Sequence, residues 1–228
     1  IRNKGQLMAL NKLKYNSLNI TPAANKAISF DSDPDALEAT LEGGAMTFIK
    51  KLTASSSGTL SFVDGSSDVV LDNTYKKYLF LFNNIHPSGD DVNFSFQGNA
   101  AGGADFNETI TSTSFRARHT EDGSAAAVEY RTDGDQAQGT GEQLLPFSIS
   151  GDTDHGFGGF LHLFNPSSTT FVKHFISRFS VNIQGSSDKA GDYYVAGYFN
   201  TTSAIDEIRF KFSSGNIDAG TITLYGIN

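Results

Sequence analysis

Residues 92–96 read Val92-Asn93-Phe94-Ser95-Phe96, apolar and polar strictly in turn. Side chains alternate across a strand with period two, so this stretch has one apolar and one polar face. Just upstream, Leu79-Phe80-Leu81-Phe82 is apolar without a break, as expected of a strand covered on both faces. The pattern extends in both directions. Thr59-Leu60-Ser61-Phe62 alternates before it, and further strands are expected at 108–118, 125–131, 143–150, 159–164, 171–183, 192–199, 204–212 and 220–227. Clusters of Gly, Ser, Asn and Asp separate them. Many short strands with frequent turn signals define an all-β sandwich or barrel.

Composition supports this class. The 228 residues include 23 Gly, 19 Phe and 8 Tyr but no Trp, and only 18% are charged. That is too few charges for a charge-rich disordered chain or a coiled coil. No apolar run approaches the length of a membrane-spanning helix. With no cysteine, disulfide frameworks, thiolate zinc sites and cysteine nucleophiles are excluded. The opening Ile1–Leu7 is polar and basic rather than a signal peptide, and Met8 is read as a start with those residues an upstream extension.

The net charge of −8 is unevenly spread. Residues 1–30 hold five bases (Arg2, Lys4, Lys12, Lys14, Lys26) and no acid, whereas residues 84–160 hold three bases and twelve acids. An acidic body repels nucleic acid and anionic membranes, so neither nucleic-acid binding nor membrane insertion is expected. The basic segment is read as an arm or attachment segment over 1–42, with Lys12, Lys14, Tyr15 and Lys26 as candidate contacts, ahead of a strand-rich domain over 43–228. The spacing of Leu37 and Leu41 within Asp35–Glu42, closed by Gly43-Gly44, gives the one helical hint. Ile28 and Phe30, in contrast, suit an edge strand.

A search for chemistry finds little. Nucleophile-elbow, phosphate-loop and dinucleotide motifs are missing. His86, His119, His155, His162 and His174 have no metal-ligand spacing. His162 and His174 lie on strands that could meet across a hairpin turning at 166–170, but a third ligand is not evident. Asp31-Ser-Asp33-Pro-Asp35 and Asp152-Thr-Asp154-His155 are weak cation-loop candidates, read as solvated turns. The acids of 84–160 could supply a glycosidase pair, yet nothing selects one. Tyr193, Tyr194 and Tyr198 with the Asn-rich loops could supply a sugar platform, but the lack of Trp weakens this and tyrosines at alternating strand positions are read as core. The expectation is a protein without catalytic residues, metal or cofactor. Its candidate exposed binding loop holds Asp152, Asp154, His155 and Phe157.

Two segments, Leu163-Phe-Asn-Pro-Ser-Ser-Thr-Thr-Phe-Val-Lys-His-Phe175 and Ser213-Ser-Gly-Asn-Ile-Asp-Ala-Gly-Thr-Ile-Thr-Leu-Tyr-Gly-Ile227, carry a family resemblance. Tyr78–Pro87 and Met8–Leu13 add to it. Together they resemble virion structural proteins of tailed bacteriophages from marine bacteria, often cyanophage-like. The closing Gly-Thr-Ile-Thr-Leu-Tyr-Gly strand looks like the last strand of a jelly-roll-like domain in tail-fibre and tail-associated proteins. The resemblance implies an all-β, jelly-roll-like antiparallel β-sandwich with a short N-terminal arm. It also implies a virion protein made in the host cytoplasm, with a tail fibre or tail-associated adhesin as the leading expectation. A capsid decoration protein and a carbohydrate-binding module are the alternatives. The expected partners are other virion proteins through the arm, a host surface glycan or protein through the loops, and further copies of the chain in a homotrimer.

Overall fold

Alternation between buried and exposed side chains is cleanest along Lys173–Ile183, whereas Phe94–Ala100 is buried almost throughout. A computed structural model describes Ala27–Phe30, Leu37–Thr40 and residues 45–228. The chain divides into two units, Ile1–Gly44 and Ala45–Asn228.

In the first unit, β1 (Ala27–Phe30) pairs antiparallel with β2 (Leu37–Thr40), with Phe30 opposite Leu37 and Ala27 opposite Thr40. The helical expectation for 35–42 is therefore corrected: Leu37–Thr40 is a strand. Eight residues are too few to hold an isolated helix, because nucleation costs more than so short a helix regains.

The second unit is an antiparallel β-sandwich. Its strands are β3 (Met46–Thr53), β4 (Leu60–Val63), β5 (Lys77–Pro87), β6 (Phe94–Ala100), β7 (Ile110–Thr120), β8 (Ala126–Tyr130), β9 (Ala137–Gly139), β10 (Gln143–Leu144), β11 (Phe157–Phe164), β12 (Lys173–Ile183), β13 (Lys189–Phe199), β14 (Ile205–Phe212) and β15 (Ile217–Ile227). The larger sheet runs β3-β15-β5-β11-β12-β13-β7-β8, with β9 also paired to β7; the smaller runs β10-β6-β14-β4. The chain passes back and forth between them: β4, β6, β10 and β14 lie in the small sheet, and their sequence neighbours lie in the large one. Strand β3 is an edge and carries Lys50-Lys51, charges that discourage edge-to-edge pairing.

The core is largely phenylalanine. Phe62, Phe94, Phe96 and Phe210 from the small sheet meet Phe80, Phe82, Phe175, Phe179 and Phe199 from the large one, all at 2% exposure or less. The rings meet mostly edge to face, as between Phe82 and Phe210 (5.1 Å) and between Phe96 and Phe175 (5.0 Å), the arrangement that the aromatic quadrupole favours. Two of the buried polar side chains are satisfied by nearby backbone carbonyls. Gln97 Nε2 donates to the carbonyls of Glu108, Thr140 and Gly141, and fully buried Lys173 donates to the Thr201 carbonyl at 3.1 Å.

One end of the large sheet is irregular. β15 slips against β5 between Ile217 and Thr221, and β11 slips against β5 between Phe157 and Gly159. Bulges of this kind bend strands and recur beside binding sites. Gly220 makes the bend possible: its φ is +110°, and a Cβ there would run into the Asn84 carbonyl, a geometry that only glycine accepts without strain.

Candidate functional site

The irregular end gathers three connections: the turn before β11, the β12–β13 connection and the end of β5. The 150–156 turn is held from several sides. The Ser150 amide donates to the Asn182 carbonyl (3.1 Å), the Gly151 amide to Asp90 Oδ1 (2.6 Å), and the His155 amide back to the Asp152 carbonyl (2.8 Å). His86 Nε2 lies 3.1 Å from the Asp152 carbonyl oxygen. These bonds tie the turn to rigid strand ends, where sandwiches commonly carry their binding groups.

A pocket of about 770 Å³ opens here, with Asn84, His86, Asp154, His155, Asn182 and Asp218 in its lining. Asp152 and Asp154 are exposed, and the His155 ring is largely covered, with 13% of its side chain accessible. Its Nδ1 lies 2.8 Å from the hydroxyl of fully buried Ser150. That contact sets the ring so that Nε2 faces Asp154 Oδ1 at 3.9 Å and Asp188 Oδ2 at 3.8 Å. Asp188 arrives from the β12–β13 connection, whose position is fixed by the Glu121 amide donating to the Asp188 carbonyl at 2.9 Å. Asp152, His155 and Asp188 bring one ligand atom each within 4.8 Å of one another. The carboxylate and imidazole chemistry of that trio could hold a divalent cation.

The expected binding loop is thus partly reassigned. Asp154 and His155 line the pocket, with Asp152 beside His155, but Phe157 is not an exposed binding residue. It is 3% exposed and packs against Phe94 (5.0 Å) and Phe179 (5.7 Å). It opens β11 on the inward side of the period-two pattern, and only the residues before it are free to turn outward. Lys12, Lys14, Tyr15 and Lys26 lie outside the described residues. His86, Asn182, Asp188 and Asp218 were not anticipated. They are far from the 152–155 turn in sequence, and only sheet pairing brings them beside it.

The other sequence candidates are placed as follows. Tyr193 is buried. Its hydroxyl donates to the Phe147 carbonyl (2.8 Å) and accepts from Arg116 Nη1 (2.7 Å), so it is structural rather than part of a sugar platform. Glu129 accepts from Arg116, Arg118 and Arg131. Its carboxyl is lowered to about 2, chiefly by the Arg118 hydrogen bond. Glu108 accepts from the Ala100 amide, and Asp135 from the Tyr130 hydroxyl. Several of the acids of 84–160 are therefore committed to structure. His162 and His174 do fall on one face of the β11–β12 hairpin, in adjacent rows: His162 is opposite Ile176, while Leu163 is opposite Phe175. Burial lowers the His162 pKa, with the Lys77 charge adding to the effect.

A second surface is the outer face of the large sheet. Register sets Tyr130, Phe115, Tyr194, Arg178, Phe160 and Leu81 side by side in one row across β8, β7, β13, β12, β11 and β5. The adjoining row is small: Val128, Ala117, Asp192, Ser180 and Gly158. A furrow of about 820 Å³ lies along it. Phe115 and Tyr194 stack with centroids 4.7 Å apart and planes 5° from parallel. The Arg178 guanidinium lies 4.8 Å from the Tyr194 ring centroid and forms two hydrogen bonds with Asp192. Farther along the face, Met46, Phe48 and Ile176 are 45–53% exposed.

Comparison with protein-family models, curated proteins and solved structures finds no match to this chain.

Proposed function

We propose that the chain is a non-enzymatic structural protein of a bacteriophage virion, made in the host cytoplasm and carried on the particle as a tail fibre or tail-associated adhesin. The observation that carries this reading is the polar pocket at the bulged end of the sandwich. Asn84, His86, Asp154, Asn182 and Asp218 offer amide, imidazole and carboxylate groups around about 770 Å³, a set suited to the hydroxyls of a host-surface glycan or to a polar protein loop. Strands hold Asn84, His86, Asn182 and Asp218, and hydrogen bonds fasten the turn that carries Asp154, so little ordering cost falls on binding. The resemblance of Leu163–Phe175 and Ser213–Ile227 to tail-associated proteins points the same way, as does the lack of cysteine, which suits a protein exposed to an oxidising exterior. In this reading the basic segment 1–42 engages other virion proteins.

Capsid decoration is the second reading. It is favoured by the apolar outer face of the large sheet, which suits contact with a protein surface rather than with a soluble ligand. Antibody-gold electron microscopy on particles of the phage encoding the chain separates the two. Label at the tail, together with host-cell binding that Asp154→Ala and Asn182→Ala reduce at least tenfold, is expected. Label across the head establishes decoration, and unlabelled particles refute both.

A further inference from the structure

We infer that the outer face of the large sheet is a self-association surface, on which two copies of this chain pack about a two-fold axis. The inference stands independently of the virion reading.

The solvent face of a half-covered antiparallel sheet is ordinarily polar. Here it carries a ridge of Tyr130, Phe115, Tyr194, Arg178 and Phe160, with Tyr130 56% and Phe115 41% exposed. Beside the ridge runs the furrow over Ala117, Ser180 and Gly158, where Val128 at one end is 79% exposed. Tyr, Phe and Arg are the residues enriched in the cores of protein interfaces.

Ring geometry selects the occupant. The 4.7 Å separation of the parallel Phe115 and Tyr194 rings matches the spacing between neighbouring strands, so both rings stand upright on the sheet. Phe115 covers one face of Tyr194 and Arg178 covers the other. A sugar ring needs an aromatic face laid open, and both faces of the central Tyr194 are taken. Upright rings present edges, which interdigitate with side chains of a facing sheet about 10 Å away. Ridge and furrow are adjacent parallel rows on one face. A two-fold axis between them therefore seats each copy's ridge in the other's furrow, the reciprocal pattern of an isologous dimer.

Charge and area agree. In a chain of net charge −8, the centre of this face is balanced, because Arg178 and Asp192 neutralise each other through two hydrogen bonds. Two such faces can approach without the repulsion that the acidic body would impose elsewhere. Eight strands about 4.8 Å apart, each with three to four outward residues, make a face of roughly 700–900 Å². A stable interface takes about 800 Å² per partner. A three-fold assembly would need two different patches, and the ridge and furrow lie too close together on one flat face to serve two neighbours at once.

Sedimentation velocity on the full chain at micromolar concentration is expected to give twice the 24.5 kDa chain mass. Phe115→Lys on the ridge and Ala190→Trp, at a residue lining the furrow, are each expected to weaken the dimer at least tenfold while the monomer stays folded. Phe171→Lys, at a 68% exposed loop position away from both rows, is expected to leave it intact. Both disrupting positions are solvent-facing, so folding is retained, and circular dichroism verifies this. A monomer at all concentrations overturns the inference. So does a trimer, or a dimer indifferent to both variants.

Discussion

Phe210 of β14 is where the two sheets of the sandwich are joined, and truncating it tests the packing directly. The ring is fully buried. It meets Phe62 at 6.3 Å and Phe94 at 6.1 Å on its own sheet, and Phe80 at 5.4 Å and Phe82 at 5.1 Å on the other. Phe→Ala in a core costs about 3–5 kcal/mol, more where neighbours cannot close the hole. Rings locked edge to face between two sheets collapse poorly, so Phe210→Ala is expected at the upper end, about 4–5 kcal/mol. A domain of this kind has about 5–15 kcal/mol of stability in all. With a urea slope of about 2–3 kcal/mol per molar, the midpoint should fall by roughly 1.5–2.5 M. Phe210→Leu, which keeps most of the volume, should lose less than half as much and provides a folded variant if the alanine form is too weak. Phe171→Ala, at an exposed site, should stay within about 0.5 kcal/mol of wild type. Equilibrium unfolding followed by tyrosine fluorescence and circular dichroism measures all three. A Phe210→Ala midpoint within 0.3 M of wild type, at an unchanged slope (both roughly set by the extrapolation error), would refute the bridging role.

Two further outcomes concern hydrogen-bonded polar groups. Tyr193→Phe removes a hydroxyl joined to the Phe147 carbonyl and Arg116, leaving both partners under-satisfied. It should cost about 1–3 kcal/mol in urea unfolding, and a neutral result would mean water takes the hydroxyl's place. Glu129 has its folded pKa lowered from 4.5 to about 2, first by the Arg118 hydrogen bond. Its contribution to stability is therefore complete above about pH 4.5 and lost as pH falls towards 2. Thermal melts should find Glu129→Gln less stable than wild type at neutral pH and the two converging near pH 2. A difference that stays constant across that window contradicts the assignment.

Much of the fold was legible in single strands. The expected 171–183, 204–212 and 220–227 correspond to Lys173–Ile183, Ile205–Phe212 and Ile217–Ile227, because each carries a period-two signal long enough to outweigh its ends. The expected 143–150 shrank to Gln143–Leu144. Leu145, Phe147 and Ile149 are nonetheless buried, so alternation there reported burial without a regular ladder. The candidate site was half legible. Asp152, Asp154 and His155 form one local turn and announced themselves as a cluster, whereas Asp188 reaches His155 only because β11 pairs with β12, whose end leads into the connection that carries Asp188.

Composition and period two determined by themselves that this chain makes strands, where most of them lie, and which residues share a side. They could not decide which side is sealed. Along Phe157–Phe164 both faces are apolar: Leu161 and Leu163 point to the core, while Phe160, His162 and Phe164 point away from it. Along β13, Tyr193 is buried with its hydroxyl bonded, and its neighbour Tyr194 stands outside between Phe115 and Arg178. Alternation is a local property of the backbone, so it separates two faces without ranking them. The second sheet ranks them when it covers one, and that choice depends on pairings between residues more than a hundred positions apart.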